Sequence, residues 1–533
     1  MAHGVKRAVV CPGSRNAPIV HNLVKSGAIC CYPVTDERSA GFYALGMALL
    51  SGDAVAVCVT SGSALLNVLP AVAEAYYQHV PLIVISADRP LAWIDQQDGQ
   101  TIRQQNALTD FVKKAVNLNE PTDNTQRWYC NRLANEALLA TNHHGVGPVH
   151  INVPLSEPLF EYNVCKLPNV RTISRIMPQT LVEADLHELI SQFLRAEKPM
   201  IVVGQMRPTT IDTTLIKELE KHAVVISEVL SGVGTLQNAD ELLATSPETV
   251  ELKPDFILYL GGHLIGKNIK SLLRQAQDAA QWLINEGGDV IDTFMHLTTI
   301  VETLPNNVLS LMVQMMQQID KKQHEAHVNA YIQRWQKAHN DYREHLKKER
   351  LEYTEAFAVQ CFEQQLSHST TPYEVHYANS MSVRLANKYA QHPVWCNRGV
   401  NGIEGSLSTA AGMSLTTTNN VYCIIGDLSF FYDQNALWNT RLKGNFRIIL
   451  LNNGGGKIFQ LVKGMPANDI RDTFVSAEHR TSAQGICQQN GIKYLVANNK
   501  KELQKGVTEL INHNEDCPIV LEVNFKQSAG ATA

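Results

Sequence analysis

With 533 residues, 44% of them hydrophobic and 18% charged, and a formal net charge of −5, the chain has the composition of an ordinary globular protein. That length suits about three or four domains with sizeable cores, and the mild negative charge excludes general attraction to nucleic acid or to an anionic membrane. Eleven cysteines without a C-x-x-C pair argue against a disulfide framework or a zinc site and suit a reducing cytosol.

The opening MAHGVKRAVVCPG has no signal-peptide core, because Pro12 and Gly13 interrupt the apolar run. No stretch approaches the roughly 18 apolar residues of a membrane span, so no span is expected. From Ala8 to about Pro158 the apolar runs AVVC, AVAVCVTS, PLIVISAD and GPVHINVP alternate with helical stretches that begin near Ala17 and Ala64. Such alternation predicts a doubly wound α/β domain. Ser14 and Arg15, in CPGSRNAP, follow the first strand, and Arg89, in ADRP, follows PLIVISA. A single arginine there is commonly part of an ordinary loop. Several around one crevice would form a carboxylate-binding cluster, which the planar guanidinium suits. Glu37, in TDERSAG, follows a short strand and opens a helix, where an acid also simply complements the helix dipole.

Between Lys198 and about Leu311 the runs PMIVVG, AVVISEV and DFILYLGG predict a second α/β unit. Gly261 to Lys267, GGHLIGK, matches G-x-x-x-x-G-K, but Asn268 replaces the Ser or Thr that would bind Mg²⁺. Lys267 is therefore read as a carboxylate contact or an exposed lysine. Residues 319–352 are charged, with Val328, Ile332, Trp335, Tyr342 and Leu346 at helical spacing, which predicts a long linking helix.

A third α/β domain runs from about Thr371 to Lys526, with the tail QSAGATA expected to be disordered. Ser380 and Arg384 lie four apart on a predicted helix and share a face, and Arg398 sits in CNRG. Val421 to Ile425 and Phe446 to Leu451 read as buried parallel strands, joined by an amphipathic crossover helix that stops at Gly444. Asp427 and Asn453 would then end adjacent strands and face one crevice, with Gly454 to Gly456 allowing close backbone approach. The donors on offer are oxygens, which suit a hard cation such as Mg²⁺ completed by phosphate oxygens. The alternative is that Asp427 caps a helix and NNGGG is a turn.

Gly426-Asp427 followed by paired asparagines, with 26 positions from Asp427 to Asn453, resembles the thiamine diphosphate (ThDP) signature. In that signature the Asp, the second Asn and a following backbone carbonyl, here that of Gly455, hold Mg²⁺, or Mn²⁺ in its place, on the diphosphate. CPGSR, TDERSAGF, SADRP, DGQTIRQ, NRGVNGIEGSLSTAAG and GDLSFFYD narrow the resemblance to one family, across nearly the whole chain. It is that of the 2-succinyl-5-enolpyruvyl-6-hydroxy-3-cyclohexene-1-carboxylate synthases, ThDP enzymes of bacterial menaquinone biosynthesis. The resemblance implies three doubly wound parallel-sheet domains of the decarboxylase-like architecture. They are a pyrimidine-binding domain (1–168), a central domain (185–318) and, after the linking helix, a diphosphate-binding domain (353–526) with a tail (527–533).

It also implies the site. Glu37 would hydrogen-bond N1′ of the aminopyrimidine and favour the imino tautomer, whose N4′ takes the proton from C2. Ile403 would wedge the cofactor into its bent shape, and Ser380, Gly426, Leu428, Ser429, Gly456 and Ile458 would line it. Ser14, Arg15, Arg89, Gln100, Lys267, Arg384 and Arg398 would grip the carboxylates and hydroxyls of 2-oxoglutarate and isochorismate, beside an apolar wall of Ile458 and Phe459. Family members close this site between two subunits, which implies a homodimer or a dimer of dimers in the cytosol.

Three departures stand out. Gly99 replaces an Asn, Asn268 replaces a second basic residue after Lys267, and relatives carry a helix before Ala2-His3-Gly4, whose absence would uncover apolar surface. Two rival readings remain: another ThDP-dependent 2-oxo acid decarboxylase or carboligase, and a ThDP-like scaffold without catalysis.

Overall fold

A computed structural model describes residues 1–163, 170–175, 183–234, 236–245, 250–317, 325–461 and 464–525. The expected tail, 527–533, and the first residues of the expected linking helix lie outside them. The chain divides into two compact units, Met1–Ile176 with Gln364–Ser382 and Cys396–Ala533, and Met177–Glu363 with Val383–Trp395.

The first unit holds two parallel sheets. One has six strands: β1 (Arg7–Val10), β2 (Cys30–Pro33), β3 (Val55–Val59), β4 (Leu82–Asp88), β5 (Lys114–Asn117) and β6 (Val149–Pro154). Their order is β2-β1-β3-β4-β6-β5. The central strand β3, VAVCV, is buried throughout, as a strand covered by helices on both faces must be. In the second unit β7 (Pro199–Val203), β8 (Val224–Ser227), β9 (Phe256–Leu260), β10 (Ala280–Ile284) and β11 (Leu297–Val301) make a parallel sheet ordered β11-β10-β9-β7-β8. The charged helix Glu325–Lys348 seats Val328, Tyr331, Ile332 and Trp335 in this unit's core, the apolar stripe its spacing predicts.

The first unit's other sheet contains β12 (Tyr373–Tyr377), β13 (Asn420–Gly426), β14 (Phe446–Asn452), β15 (Lys493–Ala497) and β16 (Ile519–Asn524), ordered β12-β13-β14-β16-β15. In the β13–β14 register Gly426 lies opposite Leu451, so the residues that follow both strands emerge side by side. All three expected α/β layers are present.

Two details differ from expectation. The β13–β14 connection is not one amphipathic helix: a short helix, Asp427–Tyr432, is followed by a 3₁₀ turn, Gln434–Leu437. The break falls at Asp433, whose fully buried carboxylate accepts from the Ser408 N–H (2.7 Å) and Oγ (2.8 Å). Gly444 ends no helix. It is small because a side chain there would run into the Glu515 carbonyl. In addition, Val383–Trp395, which the sequence reading gives to the third domain, packs with the second unit. There Asn387 accepts from the Val229 N–H (3.3 Å) and donates to Glu241 (3.1 Å).

Two fully buried histidines sit in the sheets of the first unit. His150 bonds Ser86 Oγ at 2.7 Å, and His376 meets Asn397 Oδ1 at 3.3 Å. Burial pushes each ring down to about 4. An unfolded chain protonates them near pH 6.5, so their neutral burial costs nothing above that pH and weakens the fold progressively from there to about 4, by at most about 3 kcal/mol each. The urea midpoint should fall over this window, and the double variant His150→Gln/His376→Gln should flatten that part of the curve. An unchanged slope in the double variant would contradict the assignment.

Candidate active site

The two carboxyl-end loops of β13 and β14 meet at one carboxylate. Asp427 is the first residue of its helix and is almost fully buried. Its Oδ1 accepts from the Leu428 N–H (2.7 Å), while Oδ2 accepts from the N–H groups of Asn453 (3.1 Å), Gly454 (2.7 Å) and Gly455 (3.0 Å). Gly454 and Gly455 have φ of 84° and 151°, which only glycine adopts at ease. A Cβ on Gly455 would also approach the Ser476 carbonyl to 2.9 Å. From the other side Gly456 N–H donates to Ser476 O (2.6 Å) and His479 N–H to Gly454 O (3.0 Å). The two asparagines divide their labour. Asn452 is buried and donates to Thr481 O and Glu522 Oε1, tying the turn to β16, whereas Asn453 stands half-exposed at the crevice.

Sequence reasoning missed His479. Its Nε2 lies 3.3 Å from Asp427 Oδ2 and its ring packs edge-on against Phe431. Nothing in the run AEHR marks it.

This donor set fits a hard cation and a diphosphate. The Asp427 carboxylate, the Asn453 amide oxygen and the Gly455 carbonyl are hard oxygens that suit a cation carrying phosphate oxygens, while the glycine N–H groups are spent on Asp427 and the Ser476 carbonyl. Ser429 is buried just beyond Asp427, Gly426 and Leu428 are half-buried, and Ile458 and Phe459 follow the glycines, with the Phe459 ring against Gly456.

On the same unit Ser380 adopts φ of 72°, a strained backbone for a serine. The neighbouring Asn379 donates to the Asn397 and Gly402 carbonyls, the latter at 2.9 Å, so it braces the loop that bears Arg398 and Ile403. Arg398 is buried with Nη1 3.2 Å from Asn379 Oδ1, and Ile403 is 43% exposed.

At the carboxyl edge of the six-stranded sheet Ser14 is exposed and Arg15 is buried, donating to Leu155 O (2.9 Å) and to Glu157 (2.8 Å). Arg89 donates from Nε to Gly99 O (2.9 Å) and pairs with Asp98 (3.2 Å). Gly99 thus serves through its carbonyl, and a larger side chain there would meet nothing. Gln100, with φ of 54°, lies over Gly62. A buried network supports this edge: Ser86 to Asn152 (2.7 Å), Asn152 to Asp88 (2.9 Å), and Gln104 to Asn152 (2.9 Å), with Gln104 accepting from the Gly62 N–H (2.7 Å). Burial raises the Asp88 carboxyl, and the Arg15 charge is among the influences that lower it.

Glu37 begins the helix Glu37–Ser51, where the N-cap is its neighbour Asp36. Glu37 Oε2 accepts from Asn67 Nδ2 at 3.2 Å. Within one chain the start of this helix meets the far end of the Asp427 helix. Asp36 accepts from Asn435 (2.7 Å), and Arg38 donates to Tyr432 O (2.8 Å).

Lys267 and Arg384 belong to the second unit, where Lys267 is exposed and Arg384 half-buried. The P-loop alternative fails on geometry. Ile265 and Gly266 donate their N–H groups to Glu228 (2.5 and 2.7 Å), and Asn268 and Ile269 to Asp240 (2.6 and 3.0 Å), so carboxylates hold the amides that would cradle a phosphate. Asn268 also donates its side-chain amide to the Asp240 carbonyl (3.1 Å).

Comparison with known proteins shows the family. Three family models match in sequence: the thiamine pyrophosphate enzyme N-terminal binding domain over residues 1–108, the middle domain of thiamine pyrophosphate enzymes over 177–371, and the C-terminal binding domain over 378–523. A protein of Bacteroides thetaiotaomicron named 2-succinyl-5-enolpyruvyl-6-hydroxy-3-cyclohexene-1-carboxylate synthase is 42% identical over 98% of this chain and 93% of its own length. Relatives of the same name from Bacteroides fragilis and Porphyromonas gingivalis are 43% and 35% identical, over 98% and 94% of this chain and 94% and 89% of their own lengths. The chain belongs to this family of ThDP enzymes. The matches to ThDP-binding domains support thiamine diphosphate as its cofactor.

Replacing Asp427 by Ala would leave four N–H groups without their charged acceptor, each such bond being worth about 1.5–3 kcal/mol. The amides of residues 453–455 should lose hydrogen-exchange protection, and the dissociation constant for ThDP with Mg²⁺ should rise at least about 100-fold. Unchanged exchange at Gly454 and Gly455 would contradict this.

Proposed function

We propose that this enzyme decarboxylates 2-oxoglutarate and adds the resulting four-carbon unit 1,4 to isochorismate, releasing CO₂ and 2-succinyl-5-enolpyruvyl-6-hydroxy-3-cyclohexene-1-carboxylate. The observation that carries the reading is the Asp427 crevice, in a chain whose full-length relatives bear that synthase name. When bound, ThDP would supply a nucleophilic carbon and an electron sink for the bonding pair that CO₂ leaves behind.

This chain's residues do the rest. Asp427, Asn453 and the Gly455 carbonyl would hold Mg²⁺, or Mn²⁺ in its place, against the diphosphate, and Gly426, Leu428, Ser429, Gly456 and Ser380 would line the cofactor. Glu37 would share its proton with the aminopyrimidine. Ile403 and Ile458 would press on the rings from the apolar side. Arg15, Arg89, Arg398, Arg384 and Lys267, with Ser14 and Gln100, would bind the two polyanionic substrates, for which cationic contacts are expected even in an acidic chain. Phe459 would exclude water.

The sequence limits 1–168, 185–318 and 353–526 are proposed with this reading, with residues 383–395 packing with the second unit. So is a homodimer, or a dimer of dimers, with the active site between subunits. Its support is that the start of the Glu37 helix is spent within its own chain on Tyr432 and Asn435. Among the described residues no helix is long and apolar enough to cross a membrane, and the scattered cysteines suit a reducing cytosol.

Incubation with ThDP, Mg²⁺, 2-oxoglutarate and isochorismate should yield the adduct by mass. Glu37→Gln should keep ThDP affinity and lower turnover by about 100-fold or more. Activity on pyruvate with none on 2-oxoglutarate would instead assign another ThDP carboligase.

A further inference from the structure

A helix beside the N-terminal sheet carries an acid that the proposed chemistry does not use. Glu74 lies in LPAVAEAYY, on the helix Leu69–Tyr77, and is 3% exposed. A carboxylate so buried needs strong donors, and it has two. Oε1 accepts from the Gly399 N–H at 2.7 Å and Oε2 from the Val400 N–H at 2.6 Å. Burial raises this carboxyl, while the two amides and the neighbouring Arg398 charge pull it back.

The same helix makes further contacts with the loop. Gln78, next to its end, donates to the Cys396 carbonyl at 3.3 Å. A Cβ on Gly399 would lie 2.7 Å from the Glu74 carbonyl, so a glycine is needed for the two segments to meet. On its opposite side Asn379 holds the loop by the Asn397 and Gly402 carbonyls. Between these two anchors stand Arg398 and the path to Ile403.

We infer that Glu74 is a positioning residue: its paired acceptance of the Gly399 and Val400 amides sets Arg398 toward substrate and Ile403 toward the cofactor. This rests on the roles proposed above for those two residues. A purely apolar helix surface would hold the loop by contact alone and leave the Gly399 and Val400 N–H groups without these partners. The carboxylate instead fixes two successive peptide planes, and thereby the direction in which the loop leaves them.

The test uses the full-length chain with ThDP and Mg²⁺, and the variants Glu74→Gln, Glu74→Asp and Gly399→Ala. Calorimetry gives the ThDP dissociation constant, and kinetics give KM for 2-oxoglutarate and kcat. In Glu74→Gln the amide nitrogen faces an N–H, so the ThDP dissociation constant and KM should each rise about tenfold. Glu74→Asp should restore part of that loss. Gly399→Ala, which displaces the loop from an intact Glu74, should show the same pattern.

A Glu74→Gln protein with a lowered melting temperature but with both constants within twofold of the parent has lost only stability, and that overturns the inference. If Glu74→Gln does not fold, Gly399→Ala decides by the same criterion. A parent that binds ThDP but ignores 2-oxoglutarate would refute the substrate reading alone, because ThDP affinity still reports on Ile403. An active parent beside unaffected variants would refute Glu74 alone.

Discussion

One buried carboxylate, Asp427, organises the junction at the ends of β13 and β14. It accepts four backbone N–H groups from two loops that the parallel register of β13 and β14 brings side by side. Water cannot reach it to solvate the charge, so the turn must supply the donors, and a turn that folds three consecutive amides toward one oxygen needs glycine at its centre. The Asp-to-Asn spacing is therefore the length of one crossover between adjacent strands. The proposed cation and diphosphate contacts, like the position of Ile458, would take their geometry from that junction.

The same device recurs at other loops of this protein. Glu74 takes two amides of the Arg398 loop, Glu228 takes Ile265 and Gly266 beside Lys267, and Asp433 takes Ser408 at the start of the helix Ser406–Ser414. Each acid bears no direct role in the proposed chemistry. Each holds the backbone next to a residue proposed to touch substrate or cofactor, or next to the helix that follows one. Charge-assisted bonds are stronger than neutral ones and directional, so a loop held this way keeps its geometry without a large apolar contact. If the dimer reading holds, the N-terminal sheet serves two sites at once, with Glu37 reaching a neighbour's cofactor and Glu74 shaping the loop of its own chain.

Much of this was legible in the sequence. Period and length gave the central strands, since fully buried parallel strands read as short apolar runs, and Asp427 and Asn453 were paired because two such runs ended at them. The weaker strands β5, KAVN, and β11, LTTIV, carry too little apolar signal to stand out. The crossover was read as one helix because Phe431, Leu437 and Leu442 suit an amphipathic stretch. What breaks it is Asp433, whose partner Ser408 is 25 residues away and invisible to local pattern. The role of Glu74 was hidden in the same way, although a lone acid in LPAVAEAYY was a usable signal: an acid surrounded by small apolar residues on a buried helix must have found donors. The P-loop match showed the reverse case, a local motif whose amides are claimed by the distant acids Glu228 and Asp240.

In the proposed dimer Glu37 and Asp427 act together from different chains. The direct measurement is subunit complementation between Glu37→Gln and Asp427→Ala chains, each inactive alone, mixed under conditions that exchange subunits. In a twofold dimer half of the mixed population pairs the two chains and restores one intact site of two, so activity should recover to about one quarter of the parent's. Mixed dimers that form yet recover no activity would show that the two residues do not meet across the interface.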